Sequence, residues 1–347
     1  MKKRRLFVWF LLVMMLLSGC KAKSSTTNGE ETPVASETPV AVAPEDKDKA
    51  EIESFFQTYV NTNQRPIGIM VDNDNRDARP HAGLDEAYLI YEVTVEGGAT
   101  RFLSFFRGVD TAKIGPVRSS RHYFLDYVME NNAIYTHYGW SPRASQEISS
   151  FGINNINGVV GTDGNIFWRE EKYKGDWHSA YTSIQKIKET ATSKGYVQET
   201  DRKNGIQYAE AYFDLPGDKV ANTIDLNYSS FYQTGYRYNA DKKLYEKTIH
   251  GQPHALQNGE TLSVKNVIVQ LIHDTSLGDG SDRREIITTG SGKGYYFTNG
   301  AYEEITWSKS SRSGDTTYKK ADGTPLLINP GKTMVNIISP TANIVIQ

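Results

Sequence analysis

The 347-residue sequence predicts an α+β protein in two parts: an N-terminal α/β domain with a mixed sheet over residues 50–215, then a mostly antiparallel β domain over residues 223–347. Three observations carry this reading. Between Ala50 and Asp214, extended apolar runs alternate with segments whose apolar residues recur every three or four positions, as strands alternating with helices do. Beyond Thr223 the runs become tyrosine-rich and alternating, punctuated by Asn258-Gly259, Asp279-Gly280, Asn299-Gly300 and Asp322-Gly323. Such dipeptides tolerate positive φ and favour tight hairpins. No repeat of 20–50 residues, the mark of a solenoid or propeller, is present.

In chain order, Lys2-Lys3-Arg4-Arg5, the apolar run Leu6–Leu17 and Leu17-Ser18-Gly19-Cys20 form a bacterial lipoprotein signal peptide over residues 1–20. In such a signal the cysteine thiol takes a diacylglycerol, is fatty-acylated (palmitate is typical), and becomes the first residue after cleavage. The run is shorter than the roughly 20 apolar residues a spanning helix needs. The alternative is a retained anchor with an incidental cysteine. Acyl chains contribute roughly 0.8 kcal/mol per buried methylene, so lasting attachment needs no spanning helix. The expected location is the cell membrane, lipid-anchored at its extracytoplasmic face. That excludes ATP, NAD and chromosomal DNA as routine partners. Cys20 is the only cysteine, so disulfides, CxxC chemistry and cysteine nucleophiles are excluded too. Cleavage removes four of 39 basic residues and none of 41 acidic ones, leaving a net charge of −6, which argues against nucleic-acid binding.

Residues 21–49 are rich in Ser, Thr, Glu, Pro and Ala, with Glu-Thr-Pro-Val-Ala at Glu31–Ala35 and again at Glu37–Ala41. This composition predicts a disordered tether. A strand over Pro66–Val71 follows, ended by a polar loop from Asp72 to Arg76. Ala87–Val95 and Arg101–Arg107 read as a hairpin about Glu96-Gly97-Gly98-Ala99. Helices are expected over Ser120–Asn131, over Arg143–Phe151 with Ser141 as cap and Gly152 after it, and from a Thr182-x-x-Gln185 capping box to about Lys194. Ile134–Trp140 reads as a strand between the first two. In the second part, Val264–His273, Arg284–Thr289, Gly294–Thr298, Tyr302–Trp307 and Thr333–Ile338 read as strands.

The densest polar set is Asp72, Asn73, Arg76, Arg79 and Arg101, followed by Gly115-Pro116-Val117-Arg118-Ser119-Ser120-Arg121-His122. Arg118 and Arg121 flank two serines at a predicted helix start, where guanidinium forks and free N–H groups suit a phosphate or carboxylate. Asp72, Asn73, Arg79, Arg101, Arg118 and Arg121 are therefore candidate anion-binding residues. The competing reading pairs these arginines with local carboxylates such as Glu92 and Asp126. None of the seven histidines has metal-ligand spacing, so no metal site is expected; His137 and His178 are candidates for a polar site. No Gly-x-Ser-x-Gly elbow or other catalytic signature occurs, and no catalytic residue is assigned. The 21 tyrosines suggest stacking on sugar rings, or ordinary strand packing.

Several strings resemble the YerB-like lipoproteins, a family with N-terminal and C-terminal units found mostly in Gram-positive bacteria. They are Arg65–Asn73, Ala78-Arg79-Pro80-His81-Ala82-Gly83-Leu84, Val95–Phe102, Ile114–Arg121, Asn266–Gln270 and Asn329-Pro330-Gly331-Lys332-Thr333. The resemblance runs over nearly all of residues 65–340 and implies architecture and location more than activity. One departure is His178-Ser179, where the family pattern has His-Asn. In residue type alone, Asp72, Arg79, Arg101, Arg118 and Arg121 resemble the LytR-CpsA-Psr glycopolymer transferases, which hold a polyprenyl pyrophosphate on arginines with an acid-bound magnesium. The expected role is a membrane-anchored binding or accessory module in cell-envelope assembly, without cofactor, with peptidoglycan or an envelope-assembly protein as partner. The alternative is an enzyme or carrier for a phosphorylated, polyprenyl-linked precursor, with a divalent cation at Asp72.

Overall fold

Period-two alternation decides both faces of the central sheet. The computed structural model describes residues 44–74, 78–170 and 178–347. Cys20, the signal peptide, Arg76 and the tether up to residue 43 lie outside them. In β1 (Ile67–Asp72), Ile67, Ile69 and Val71 enter one core and Met70 the other. In β2 (Leu89–Thr94), Ile90 joins the first core while Leu89, Tyr91 and Val93 join the second. In β3 (Thr100–Phe106), Phe102 and Phe106 take the first face, Leu103 and Phe105 the second. All three strands are buried on both faces, which is why they read as mainly apolar runs.

The remaining strands are β4 (Ile134–His137), β5 (Asn155–Asn157), β6 (Thr223–Asn227), β7 (Gln233–Asn239), β8 (Leu244–Ile249), β9 (Asn266–Leu271), β10 (Gly290–Thr298), β11 (Ala301–Lys309), β12 (Thr316–Lys320), β13 (Thr333–Ile338) and β14 (Ile344–Ile346), besides several two- and three-residue pairs. Ten of the fourteen strands form one mixed sheet in the order β12-β11-β10-β9-β13-β2-β3-β1-β4-β5. A smaller sheet, β8-β7-β6-β14 with two short additions, lays Ile224, Leu226, Tyr236 and Tyr245 on the first face, where α4 (Ile184–Ser193) adds Ile184, Ile187 and Ala191. On the second face α2 (Phe124–Glu130) contributes Phe124, Tyr127 and Val128, and α3 (Pro142–Ser150) contributes Ile148.

The two parts expected from the sequence share this sheet. The C-terminal β13 lies between β9 and β2 and is parallel to both, pairing Leu89 with Thr333 through to Val93 with Ile337. Residues 43–347 accordingly form one compact unit. Within the second part the hairpins are antiparallel as expected. Asn299 and Gly300, at φ 49° and 76°, turn β10 into β11 with Thr298 opposite Ala301.

Several boundaries differ from expectation for local reasons. The predicted tether ends early, because α1 (Pro44–Phe55) begins inside it. Proline suits a first helical turn, the acidic residues behind it suit the positive end of the dipole, and Phe55 anchors the far end against Tyr59 and Tyr208. The helix expected from Ser120 begins at Phe124, since residues 116–120 run extended beside β1: Arg118 N donates to Met70 O and Asp72 N to Pro116 O, each at 2.9 Å. Ser141 caps α3 as predicted, its Oγ accepting from Ala144 N at 3.3 Å. For α4 the cap is Ser183, not Thr182, whose hydroxyl donates to Ile166 O. The tyrosines of the β region serve packing: none of those between Tyr208 and Tyr245 or between Tyr295 and Tyr302 is exposed. No described helix is long and apolar enough to cross a membrane.

Candidate functional site

β1 ends at Asp72 because the chain turns polar there, and cross-strand register sets Arg101 of β3 directly opposite it. Both side chains point to the second face, covered by α2 and α3, as the alternation of Met70 and Leu103 requires. The extended segment before α2 inserts between β1 and the residues after β4, with Tyr138 N donating to Arg118 O, and brings Arg118 to the same place. Asp72 is fully buried. Its Oδ2 lies 3.1 Å from Arg118 Nε and accepts from His178 Nδ1, and its Oδ1 accepts from Asp74 N at 3.2 Å. Burial alone would raise the Asp72 pKa; the His178 hydrogen bond and the charges of Arg101 and Arg118 outweigh it and hold the carboxyl below its ordinary value. Asp74 is pushed up instead, by burial and by the neighbouring Asp72 charge.

Glu96, at the β2–β3 turn, completes the cluster. Arg121 forks onto it, with Nη2 2.9 Å from Oε2, and Arg101 Nη2 lies 3.9 Å from the same oxygen. Arg101 also donates to Ser119 O at 2.6 Å. Burial and the charge of Arg121 lower its pKa to about 10 against the pull of Asp72 and Glu96. Three guanidinium groups and one imidazole thus surround two carboxylates. Arg101 Nε and Arg118 Nε are buried without a hydrogen-bond partner, the Arg118–Asp72 approach being an ion contact without hydrogen-bond geometry.

Asn73 and Arg79 belong to a second network on the opposite face. Arg79 Nη1 donates to Asn73 O and Oδ1 at 3.3 Å, and Asn73 Nδ2 donates to Thr100 Oγ1 at 2.9 Å and Glu92 Oε1 at 3.2 Å. Glu92 pairs with Lys247 of β8 at 2.6 Å, both side chains at 0% exposure. Beside them His81 bonds the Asp72 carbonyl through Nε2 and meets His254 Nε2 through Nδ1 at 2.8 Å. His81 Nε2 must carry the proton for the carbonyl, so in the neutral pair His254 Nε2 donates to His81 Nδ1. His254 Nδ1 is then an acceptor with nothing to accept from. Burial lowers the pKa of His81 to about 4 and holds that of His254 well below its ordinary value.

The candidate residues therefore separate. Asp72, Arg101, Arg118, Arg121 and His178 converge. Asn73 and Arg79 turn away. His137 is structural: one ring nitrogen lies 2.8 Å from Gly139 O and the other faces the Asn155 side chain at 3.3 Å, and burial lowers its pKa to about 4. The helix-start argument for Arg118 and Arg121 also fails, because α2 begins after both, and its first turn has no side-chain cap. Ser179 accepts from Arg169 Nη1 at 2.7 Å. Sequence reasoning missed Glu96 as the partner of Arg121, although it stands within the Val95–Phe102 string. It also missed Lys247 and the His81–His254 pair, whose partners lie 155 and 173 residues apart.

Family models described as "Protein of unknown function (DUF3048) N-terminal domain" and "C-terminal domain" match residues 57–197 and 224–335. Over 287 residues the chain is 33% identical to "Putative lipoprotein YerB" of Bacillus subtilis, covering 80% of this chain and 82% of that one. The crystal structure of the YerB protein from Bacillus subtilis superposes with a TM-score of 0.72 at 29% identity, covering 82% of this chain and 94% of that one. With both units matched and the mixed sheet reproduced, the chain belongs to the YerB-like family.

Proposed function

We propose that this protein is a lipoprotein tied to the extracytoplasmic face of the cell membrane through Cys20, serving as a binding module of the cell envelope. The Asp72 cluster is its recognition site for an anionic group of an envelope component, a phosphate or carboxylate of peptidoglycan or of a polyprenyl-linked precursor. The observation that carries this reading is the convergence of Arg101, Arg118 and Arg121, where the buried Arg101 Nε has no hydrogen-bond partner and Arg118 Nε meets Asp72 only as an ion contact. An anion supplies the missing acceptor with a charge-assisted bond. The anchor rests on the signal pattern ending at Cys20 and on the relative's description as a lipoprotein.

Calorimetry on the full chain in detergent, with pyrophosphate and farnesyl pyrophosphate as probes, tests the site. Arg118→Lys keeps the charge and removes the planar fork, so binding should weaken by roughly 1.5–3 kcal/mol. Unchanged affinity with a lowered melting temperature would assign the arginines to the fold alone.

A second reading rests on the His178–Asp72 contact. A carboxylate on Nδ1 fixes the imidazole tautomer and orients Nε2, as a general acid–base histidine requires. This supports an enzyme or carrier acting on a phosphorylated precursor. A divalent cation at Asp72 would have to displace His178 or Arg118, so the acid–base role is proposed without one. His178→Gln should then abolish turnover of such a precursor while leaving its binding intact. Loss of binding in that variant would count against the acid–base role.

A further inference from the structure

We infer a second ligand site, independent of the Asp72 cluster, that takes a small ring compound bearing a carboxylate. It is a cavity of about 350 Å³ beneath the segment joining α1 to β1, within the roughly 300–1,000 Å³ typical of small-molecule sites. Phe56 and Tyr59 form part of its wall from a π-helical turn, Phe56–Val60, that directly follows α1. Single π turns inside helices often mark functional positions, because they displace a side chain from the regular ladder. Tyr88 and Tyr208 line it as well, and Tyr59 stacks on Tyr88 with centroids 5.5 Å apart. Such aromatic walls suit the flat face of a sugar or an aromatic ring.

The polar lining is cationic or neutral, with no acidic residue in it. Arg107 decides the ligand's charge. It is only 8% exposed, and its guanidinium stands 5.8 Å from the Tyr88 ring centre. Nη1 donates to Tyr59 O at 3.0 Å, Nε has no hydrogen-bond partner, and no carboxylate lies within 4.0 Å among the described residues. A buried guanidinium without countercharge carries an unrelieved desolvation cost. A carboxylate over the ring edge supplies both the countercharge and the acceptor that Nε lacks. Lys203, exposed at the rim, adds positive potential at the entrance, whereas Arg202 is paired with Asp315 at 2.8 Å.

The chemistry admits two sources, a carboxylated amino sugar and an aromatic acid. Calorimetry on the full chain in detergent with N-acetylmuramic acid, N-acetylglucosamine and benzoate separates them. At least one carboxylate should bind ten-fold or more tighter than the carboxylate-free N-acetylglucosamine, and the tighter of the two names the source. Arg107→Lys should weaken that binding ten-fold, and Lys203→Gln, at the exposed rim, about two-fold. Arg118→Lys should leave it unchanged, which separates this site from the Asp72 cluster. The wild-type comparison holds even if Arg107→Lys fails to fold. Equal affinity for the carboxylate and carboxylate-free sugars, no binding of any probe, or an Arg107→Lys variant that folds and binds as wild type would overturn the assignment.

Discussion

Lys247→Met should be among the most damaging conservative-volume changes in the molecule. Lys247 and Glu92 are both at 0% exposure and 2.6 Å apart, joining β8 of the smaller sheet to β2 of the large one. Removing one partner of a buried pair leaves the other charge stranded, at about 3–5 kcal/mol. Thr100, Asn73 and Thr234 still bond Glu92, which favours the lower end of that range. The lost cation–π contact with Tyr236, 4.7 Å from Nζ to ring centre, works the other way. Taking roughly 2 °C per kcal/mol for a chain of this size, the melting temperature should fall by about 6–10 °C. Calorimetry and urea titration of Lys247→Met, Glu92→Gln and the double variant measure the coupling. The double variant, which strands no charge, should recover at least half of the loss. A Lys247→Met protein within ~1 kcal/mol of wild type, or a double variant no better than the single one, would refute the argument that a stranded buried charge dominates here.

Three further outcomes are expected. Gly83→Ala should destabilise by roughly 1–3 kcal/mol, because Gly83 sits at φ 74° and an added Cβ would lie 2.5 Å from Lys113 O; an unchanged urea midpoint would contradict this. His81 and His137 are held neutral with pKa values of about 4 against roughly 6.5 unfolded, so below pH 6.5 the unfolded chain binds protons that the folded one refuses. Their stabilisation is complete above pH 6.5 and lost as pH falls towards 4, by roughly 3 kcal/mol for each; a flat urea-titration profile from pH 7 to 4.5 would show that neither is buried as described. Cys20→Ala should abolish lipid labelling and release protein from membranes while leaving the melting temperature of the folded unit unchanged; retained label would remove the basis for the anchor.

Much of the strand content was legible because burial imposes a pattern on sequence. The mainly apolar runs of β1, β2 and β3 mark strands covered on both faces, and Asn299-Gly300 marks a hairpin by its tolerance of positive φ. Boundaries were harder where tertiary contacts override local preference. The helical spacing of Tyr123, Phe124 and Tyr127 extends a predicted helix back to Ser120, but the backbone of residues 116–120 is claimed by β1 and by Ala180. Arg101 and Arg118 could be suspected as partners of Asp72 from composition. That Arg79 faces elsewhere could not, since it depends on which side of Asn73 the loop leaves the strand. The parallel seam was invisible, because nothing in Thr333–Ile338 names β2, some 240 residues earlier, as its neighbour.

That seam bears on how the chain acquires its structure. β13 is the element that closes the gap between β2 and β9, and it is synthesised after both of them. Until it arrives, the first 300 residues carry two open sheet edges of strongly apolar strands, the kind that recruit foreign strands and aggregate. Ordering must also wait on contacts of very long sequence separation, which slows folding and lengthens that exposure. The family's two sequence units are therefore not two folding units. A chain cut between residues 197 and 224 should yield fragments that are insoluble alone and recover the sheet only when refolded together. Early termination anywhere before Thr333 should be equivalent, for the cell's quality control, to failure of the entire protein.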